Sequence, residues 1–219
     1  MIRGGVVLLA ALLASQQAAA ADPKHANFAR ERASTDTRQV ADWVVSASDN
    51  HNLPFAIVDK KNAKVFVFDA HGQLRGAAPA LIGETRGDDS VPGIGEREIA
   101  SIRTEEKTTP AGRFVAVIGG NMRGEDVLWV DYAGAVAMHR VLTTNPAERR
   151  LQRLATPTAS DNRISFGCIN VPAKFYENVV RPAFTGTDGI VYVLPDTKPL
   201  HAVFAMPPHA VFAMQKQGK

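Results

Sequence analysis

From Leu53 onward the chain repeats one pattern: a short run of β-branched and aromatic residues, a turn, then another such run. Phe55-Ala56-Ile57-Val58 and Lys64-Val65-Phe66-Val67-Phe68 flank Asp59 to Ala63 and read as a hairpin. Further strands are expected around Ala80-Leu81-Ile82, Arg113 to Ile118, Val127 to Asp131, Ala135 to His139 and Ile190 to Leu194. Gly83 to Glu98 is rich in Gly, Asp and Pro and reads as a long loop. The chain must therefore fold as a mostly β protein, because runs this short and this branched pack as strands rather than helices.

Helical signals are few. Val40, Trp43, Val44 and Ala47 recur at helical spacing after Thr35 or Asp36 as N-cap, which predicts one helix packed on the main domain. Asn145-Pro146-Ala147-Glu148 combines an N-cap, a proline at the first helical position and an acid at N3. Leu151 and Leu154 give that helix an apolar stripe, and Arg149, Arg150 and Arg153 cover the rest. A third helix is expected to start near Pro172, carry Phe175, Val179 and Val180 inward and stop before Pro182. Near the end His201-Ala202-Val203-Phe204-Ala205-Met206 recurs as His209-Ala210-Val211-Phe212-Ala213-Met214. Two copies are too few for a solenoid, and the tail is expected to pack across the domain.

The N-terminus reads as a secretory signal. Arg3 supplies the positive region, Val6 to Ala14 the apolar run, and Ala18-Ala19-Ala20 the small residues of a cleavage site. The apolar run is too short to span a bilayer, so no stable membrane span is expected once the signal is removed. The organisation that follows is a signal peptide over 1–21, a helical extension over 22–52, a main domain over 53–195 and a tail over 196–219. The net charge is only +3, too small for an electrostatic case for nucleic acid.

Cys168 is the only cysteine, so it has no internal disulfide partner even in an oxidising compartment. It lies in Arg163-Ile164-Ser165-Phe166-Gly167-Cys168-Ile169-Asn170-Val171-Pro172. A thiol reacts as its thiolate, and an imidazole at hydrogen-bond distance removes the proton and favours the ion pair. His139 ends a β run upstream and is the candidate base. The amides of Gly167 and Cys168 are candidate oxyanion donors. Gly93-Ile94-Gly95 lacks a preceding strand and a third glycine, so it is not a dinucleotide site. His25, His51, His71, His201 and His209 show no metal-ligand spacing, so neither metal nor cofactor is expected. Asp88-Asp89 reads as a solvated loop pair. Trp129 is assigned to the core, whereas Tyr132 is either core or a substrate platform.

Ser165-Phe166-Gly167-Cys168-Ile169-Asn170 resembles the active-site signature of the L,D-transpeptidases (the YkuD-like catalytic domain): Ser or Thr, His-Gly-Cys, a hydrophobic residue, then Asn or Arg. Thr109-Pro110-Ala111-Gly112-Arg113-Phe114 is similar to that family's Thr-Pro-x-Gly-x-Phe segment. It precedes the candidate histidine as the family order requires. The resemblance covers roughly 53 to 195 and implies a β-sandwich or partly open barrel with short flanking helices. Two departures stand out. Phe166 occupies the place of the signature's histidine, and the 26 positions between His139 and Ser165 exceed the family spacing. The arginine-bearing helix fills the excess, either as a lid whose arginines meet a substrate carboxylate or as a solvated basic face.

What the resemblance implies is acyl transfer on peptidoglycan tetrapeptide stems in the periplasm or cell envelope. Cys168 is then the nucleophile, His139 the base, Gly167 part of the oxyanion hole, and Arg140 the residue whose backbone carbonyl orients His139. Ser165, Phe166, Asn170, Arg163 and Tyr132 fall to substrate binding; Ser165 and Asn170 also suit bracing of the loop. A second stem, a wall-anchored lipoprotein or water would accept the acyl group. A non-catalytic wall-binding module is the competing class, and Phe166 is the residue that favours it.

Overall fold

The structure is a computed structural model that describes residues 25–207. The signal segment and the second copy of the tail repeat lie outside the described residues. Ten strands form among the described residues: β1 (Phe55–Asp59), β2 (Lys64–Phe68), β3 (Leu74–Pro79), β4 (Ile82–Gly83), β5 (Gly112–Gly120), β6 (Asp126–Asp131), β7 (Val136–Arg140), β8 (Arg163–Ser165), β9 (Ile169–Val171) and β10 (Gly189–Val193). Eight of them make one mixed sheet in the order β3-β2-β1-β10-β5-β6-β7-β9, and β4 pairs with β8. The protein is mostly β, with few and short helices.

The sheet curls into a nearly closed form. Inward residues from β1, β2, β5, β6, β7, β9 and β10 belong to one buried cluster, which a flat sheet could not assemble. The chain leaving β3 then crosses to β9, where Leu81 and Asn170 exchange two backbone hydrogen bonds of 2.8 Å. Around the strand expected at 80–82 the chain forms two elements after β3: Leu81 makes the bridge that nearly closes the sheet, and Ile82 begins β4. The period-two pattern is strict. Ala56, Val58, Val65, Val67, Val191 and Val193 face this inner core, whereas Phe55, Ile57, Phe66, Phe68, Ile190 and Tyr192 face out.

Helix α1 (Thr35–Ala47) covers those outward aromatics with Val40, Ala41, Trp43, Val44 and Val45. Its N-cap is Ser34 rather than Thr35 or Asp36. Ser34 Oγ accepts the Thr37 amide at 3.1 Å and donates to Asp59 Oδ2 at 2.6 Å, so the β1–β2 turn selects the cap. Phe204 and Met206, from the first copy of the tail repeat, bury against the same cluster, with Phe204 6.0 Å from Tyr192 ring to ring.

Two helical expectations change. The helical segment after β9 does not stop before Pro182: it runs as Ala173–Phe175, a π-helical stretch Tyr176–Val180 and Arg181–Phe184. The wider π turns precede the proline, whose missing N–H would leave an ordinary i−4 ladder open. The second helix is broken. A 3₁₀ turn at Pro146–Glu148 is followed by Arg149 in the left-handed region (φ 51°) and then by α2 (Arg150–Ala155). That break turns Leu151 out to 58% exposure; Leu154 packs inward and Arg150, on the same short helix, is turned in.

Candidate active site

Strands β7 and β9 run parallel, pairing Met138 with Ile169, His139 with Asn170 and Arg140 with Val171. Met138 and Ile169 point into the core, so His139 and Asn170 point outward. Cys168 lies one residue before this register, across from Ala137, and alternation puts it on the outward face too. The nucleophile candidate and the base candidate therefore share one face of two hydrogen-bonded strands, displaced diagonally by two residues.

Gly167 shapes the approach to Cys168. Its φ is +136°, and a Cβ there would stand 2.7 Å from the Thr108 carbonyl oxygen, so any side chain is excluded both sterically and conformationally. Ser165 Oγ donates to the Cys168 carbonyl at 2.6 Å and accepts the Gly167 amide at 3.1 Å. Thr109 Oγ1 donates to the Gly167 carbonyl at 2.8 Å and accepts the Gly83 amide at 2.9 Å. The expected pair of oxyanion donors thus reduces to one: the Gly167 amide is taken by Ser165, while the Cys168 amide has no partner among the described residues. Ser165 is buried and acts as a brace within the turn.

His139 is fixed from behind. Its Nδ1 lies 2.7 Å from the Arg140 carbonyl oxygen, so Nδ1 carries the proton and Nε2 keeps its lone pair. Burial lowers the imidazole's pKa; the Arg140 carbonyl opposes this and the Arg150 guanidinium adds to it, leaving the ring neutral at pH 7. Burial pushes the Cys168 thiol up, against the pull of the Ala137 amide and Arg150. The thiol sits 3.6 Å from the Ala135 carbonyl oxygen. The sequence suggests a thiolate–imidazolium pair; the folded chain holds a neutral thiol and a neutral imidazole on one face of the strand pair, because desolvation penalises both charged forms.

Over this face lies α2. Arg150 Nη1 donates to Asn170 Oδ1 at 2.8 Å, and Arg150 Nε pairs with Glu148. Asn170 Nδ2 in turn donates to the Cys168 carbonyl at 3.3 Å. Arg153 is tied to the Glu148 and Asp161 carbonyls at 2.8 and 2.6 Å. Of the three arginines only Arg150 reaches the strand pair, a selection the helical spacing did not contain because the break at Arg149 resets the phase.

The other anticipated residues divide. Arg140 sends its guanidinium away from the thiol, to Asp126 at 2.9 Å and Glu177 at 2.5 Å. Phe166 is exposed and carries Lys107 Nζ 4.5 Å above its ring. Tyr132 is 80% exposed and meets Trp129 edge to face at 5.1 Å. Trp129 is half-buried on the outward face of β6 rather than in the core: it pairs with Val117 on one side and Ala137 on the other, and β6 sends Leu128 and Val130 inward instead. Val117, Trp129, Ala137 and Cys168 therefore form one row across the sheet.

Arg163 is not available to a ligand. Its guanidinium binds Asp196 at 2.6 Å and the Lys60 carbonyl at 3.1 Å in a buried ionic cluster. Asp88, read from the sequence as solvated, is also buried there. It accepts the amides of Asp196, Thr197 and Lys198 and the Thr197 hydroxyl, and pairs with Lys60 at 3.0 Å. Lys60 Nζ further donates to the Gly87 and Thr109 carbonyls at 2.5 and 2.7 Å. Through Thr109 this cluster supports the Gly167 turn from below. No sequence signal marks Lys60: it is one of two adjacent lysines in a turn, and only the fold buries it. Among the described residues no three His, Cys, Asp or Glu side chains converge on a common point.

No protein-family profile matches the chain, and no curated protein does. The structure is similar to the catalytic domain of an Enterococcus faecium L,D-transpeptidase, at 18% identity and TM-score 0.39, over 65% of this chain and 98% of that one. It is also similar to an L,D-transpeptidase of Xylanimonas cellulosilytica, at 15% identity and TM-score 0.40, over 65% of this chain and 61% of that one. A longer Enterococcus faecium L,D-transpeptidase chain, in mutant form, is matched over about half its length (49%), at 16% identity and TM-score 0.37 over 64% of this chain.

Proposed function

We propose that this chain is a cell-envelope cysteine acyltransferase acting on peptidoglycan tetrapeptide stems. The observation that carries the reading is the β7–β9 register, which sets Cys168 and His139 on one face with His139 Nδ1 locked to the Arg140 carbonyl. His139 Nε2 takes the Sγ proton as sulfur attacks the carbonyl that joins the stem's third residue to its terminal D-Ala. The Cys168 amide donates to the developing oxyanion. The C–N bond breaks, D-Ala leaves with the proton returned by His139, and a thioester remains on Cys168. An amine or water then attacks that thioester; His139 removes its proton, and the thiolate departs and is reprotonated.

An amine from a second stem gives a cross-link, an amine from a lipoprotein gives a covalent anchor, and water gives hydrolysis. The N-terminal segment supports export to the periplasm or cell envelope, where these acceptors reside. Tyr132, with Trp129 beside it, is assigned to the substrate platform, and Asn170 and Ser165 to positioning of the nucleophile turn. A non-catalytic wall-binding module is the second reading, favoured by Phe166 in place of the signature's histidine.

Purified protein and its Cys168→Ala form, incubated with muropeptide tetrapeptides and read by mass spectrometry, test the proposal. D-Ala release or new dimers only with the thiol present are expected. Identical product spectra from both proteins, with the thiol confirmed reduced, would leave the binding module standing.

A further inference from the structure

Helix α2 inverts the ordinary rule for a surface helix: Leu151 stands in water while Arg150, its neighbour, is only 11% exposed. Placing a guanidinium inside costs desolvation that a lid or a solvated basic face would not need to meet. The backbone enforces the arrangement, with Arg149 held at φ 51° so that α2 starts in the phase that turns Arg150 to β9. A local rule broken under such constraint marks a functional position.

The place where Arg150 arrives is specific. Asn170 Oδ1, its acceptor, belongs to the residue paired with His139 across β7–β9, and Asn170 Nδ2 holds the Cys168 carbonyl. One hydrogen bond therefore separates the guanidinium from the strand pair that carries both reacting groups. We propose that Arg150 is the cation this chain sets beside its nucleophile, supporting the negative charge that forms on Cys168 while His139 takes the proton. This deepens the acyl-transfer reading and rests on it. Arg150 touches neither substrate nor sulfur in this geometry and is an electrostatic positioning residue.

The surrounding charges leave Arg150 that role. Glu148 pairs with it and dilutes its field. Arg123 and Glu125, from the β5–β6 turn, act on His139 in opposite senses, whereas Arg150 is the charged side chain that acts on both His139 and Cys168. Lys107 sits over Phe166 and is paired with Glu84 at 2.8 Å. The Arg140 guanidinium is committed to Asp126 and Glu177.

The experiment is the pH profile of Cys168 alkylation by iodoacetamide on the substrate-free protein, in wild type, Arg150→Gln, Arg150→Lys and Glu148→Gln, each with its melting temperature. Arg150→Gln should move the inflection up by about one pH unit, and Glu148→Gln should move it down, because an opposite charge nearby favours the thiolate. Arg150→Lys should stay close to wild type. A helix tether without an electrostatic role would lower the melting temperature of both neutral variants and shift neither inflection, which would overturn the proposal. So would an unchanged inflection accompanied by a raised KM for the stem alone, which would make Arg150 a carboxylate anchor. If Arg150→Gln folds poorly, the Arg150→Lys and Glu148→Gln pair carries the test. Shifted inflections with no turnover of muropeptides would retain the charge assignment and remove the acyl-transfer reading instead.

Discussion

One sheet presents two different outer faces. Over β1, β2 and β10 the outward side chains are Phe55, Ile57, Phe66, Phe68, Ile190 and Tyr192, sealed by α1, Phe28 and the tail residues Phe204 and Met206. Over β5, β6, β7 and β9 the outward positions hold Val115 at 61% exposure, Val117 at 47%, Trp129, Ala137, His139 and Cys168. The inner face is the same continuous apolar core beneath both halves. A large aromatic under a helix contributes stability by leaving water. The second half has only the short α2 laid against it, gives up part of that stability, and leaves Val115, Val117 and Tyr132 in water. Apolar burial on the outer face is thus concentrated on one half of the sheet, and the candidate site lies on the other.

The sharpest test of that division is Cys168→Ala. It should lower turnover by about 10⁴-fold or more while leaving the urea midpoint nearly unchanged, since Cys168 belongs to neither buried apolar cluster. A large loss of stability would show that the open half is part of the stabilising core after all. Conversely, Phe66→Ala under α1 should cost about 3–5 kcal/mol in urea denaturation, whereas Val117→Ala should stay within about 0.5 kcal/mol. Equal losses at the two positions would erase the comparison.

The ionic cluster that joins the halves comes next. Asp88→Asn leaves Lys60 buried with one carboxylate fewer, and should cost about 3 kcal/mol by thermal or urea unfolding. Turnover should fall with it, because Lys60 holds Thr109 and Thr109 holds the Gly167 turn. The pH dependence has a fixed sign. The hydrogen bonds from Thr197 and the amides of Asp196 and Lys198, with Lys60, hold the Asp88 carboxyl far below the usual carboxylate range despite its burial. Its contribution is complete above about pH 4, the unfolded value, and is lost as pH falls through the depressed folded value. Melting temperatures measured downward from pH 7 should therefore decline below about pH 4 in wild type and less steeply in Asp88→Asn.

The smallest effect concerns the resting state of the open half. Burial raises the Cys168 thiol and lowers the His139 imidazole, so both are neutral at pH 7. Alkylation by iodoacetamide should accelerate only as pH rises above about 8.5, the free-thiol value. A plateau already reached near pH 6 would mean that a thiolate–imidazolium pair exists before substrate arrives.

Much of this molecule is legible in local patterns. The hairpin at 55–68, the strands around Phe114, Trp129, Met138 and Val191 and the helix holding Trp43 all follow from side-chain period, because burial of one face imposes that period on the sequence. Cys168 and His139 stand out for a related reason: a lone thiol after a glycine and a histidine ending a strand are chemical identities, readable without coordinates. Long-range choices were not readable in this way. Ser34 caps α1 because Asp59 arrives from another element. Trp129 faces out because the β6 register assigns Leu128 and Val130 inward. Asp88 and Arg163 look like surface charges until Lys60 and Asp196 meet them in the interior.

The sequence by itself determined the β class, the paired apolar periods and the choice of Cys168 and His139 as the candidate thiol and base, since each depends only on residue type and spacing along the chain. Only the tertiary structure decided that β7 and β9 run side by side, that Ser165 occupies the Gly167 amide, and that Arg150 rather than Arg149 or Arg153 lies against the strand pair. Those outcomes depend on register, on one left-handed residue and on charges brought together from distant positions. They are energies of contact between segments, which no single segment encodes.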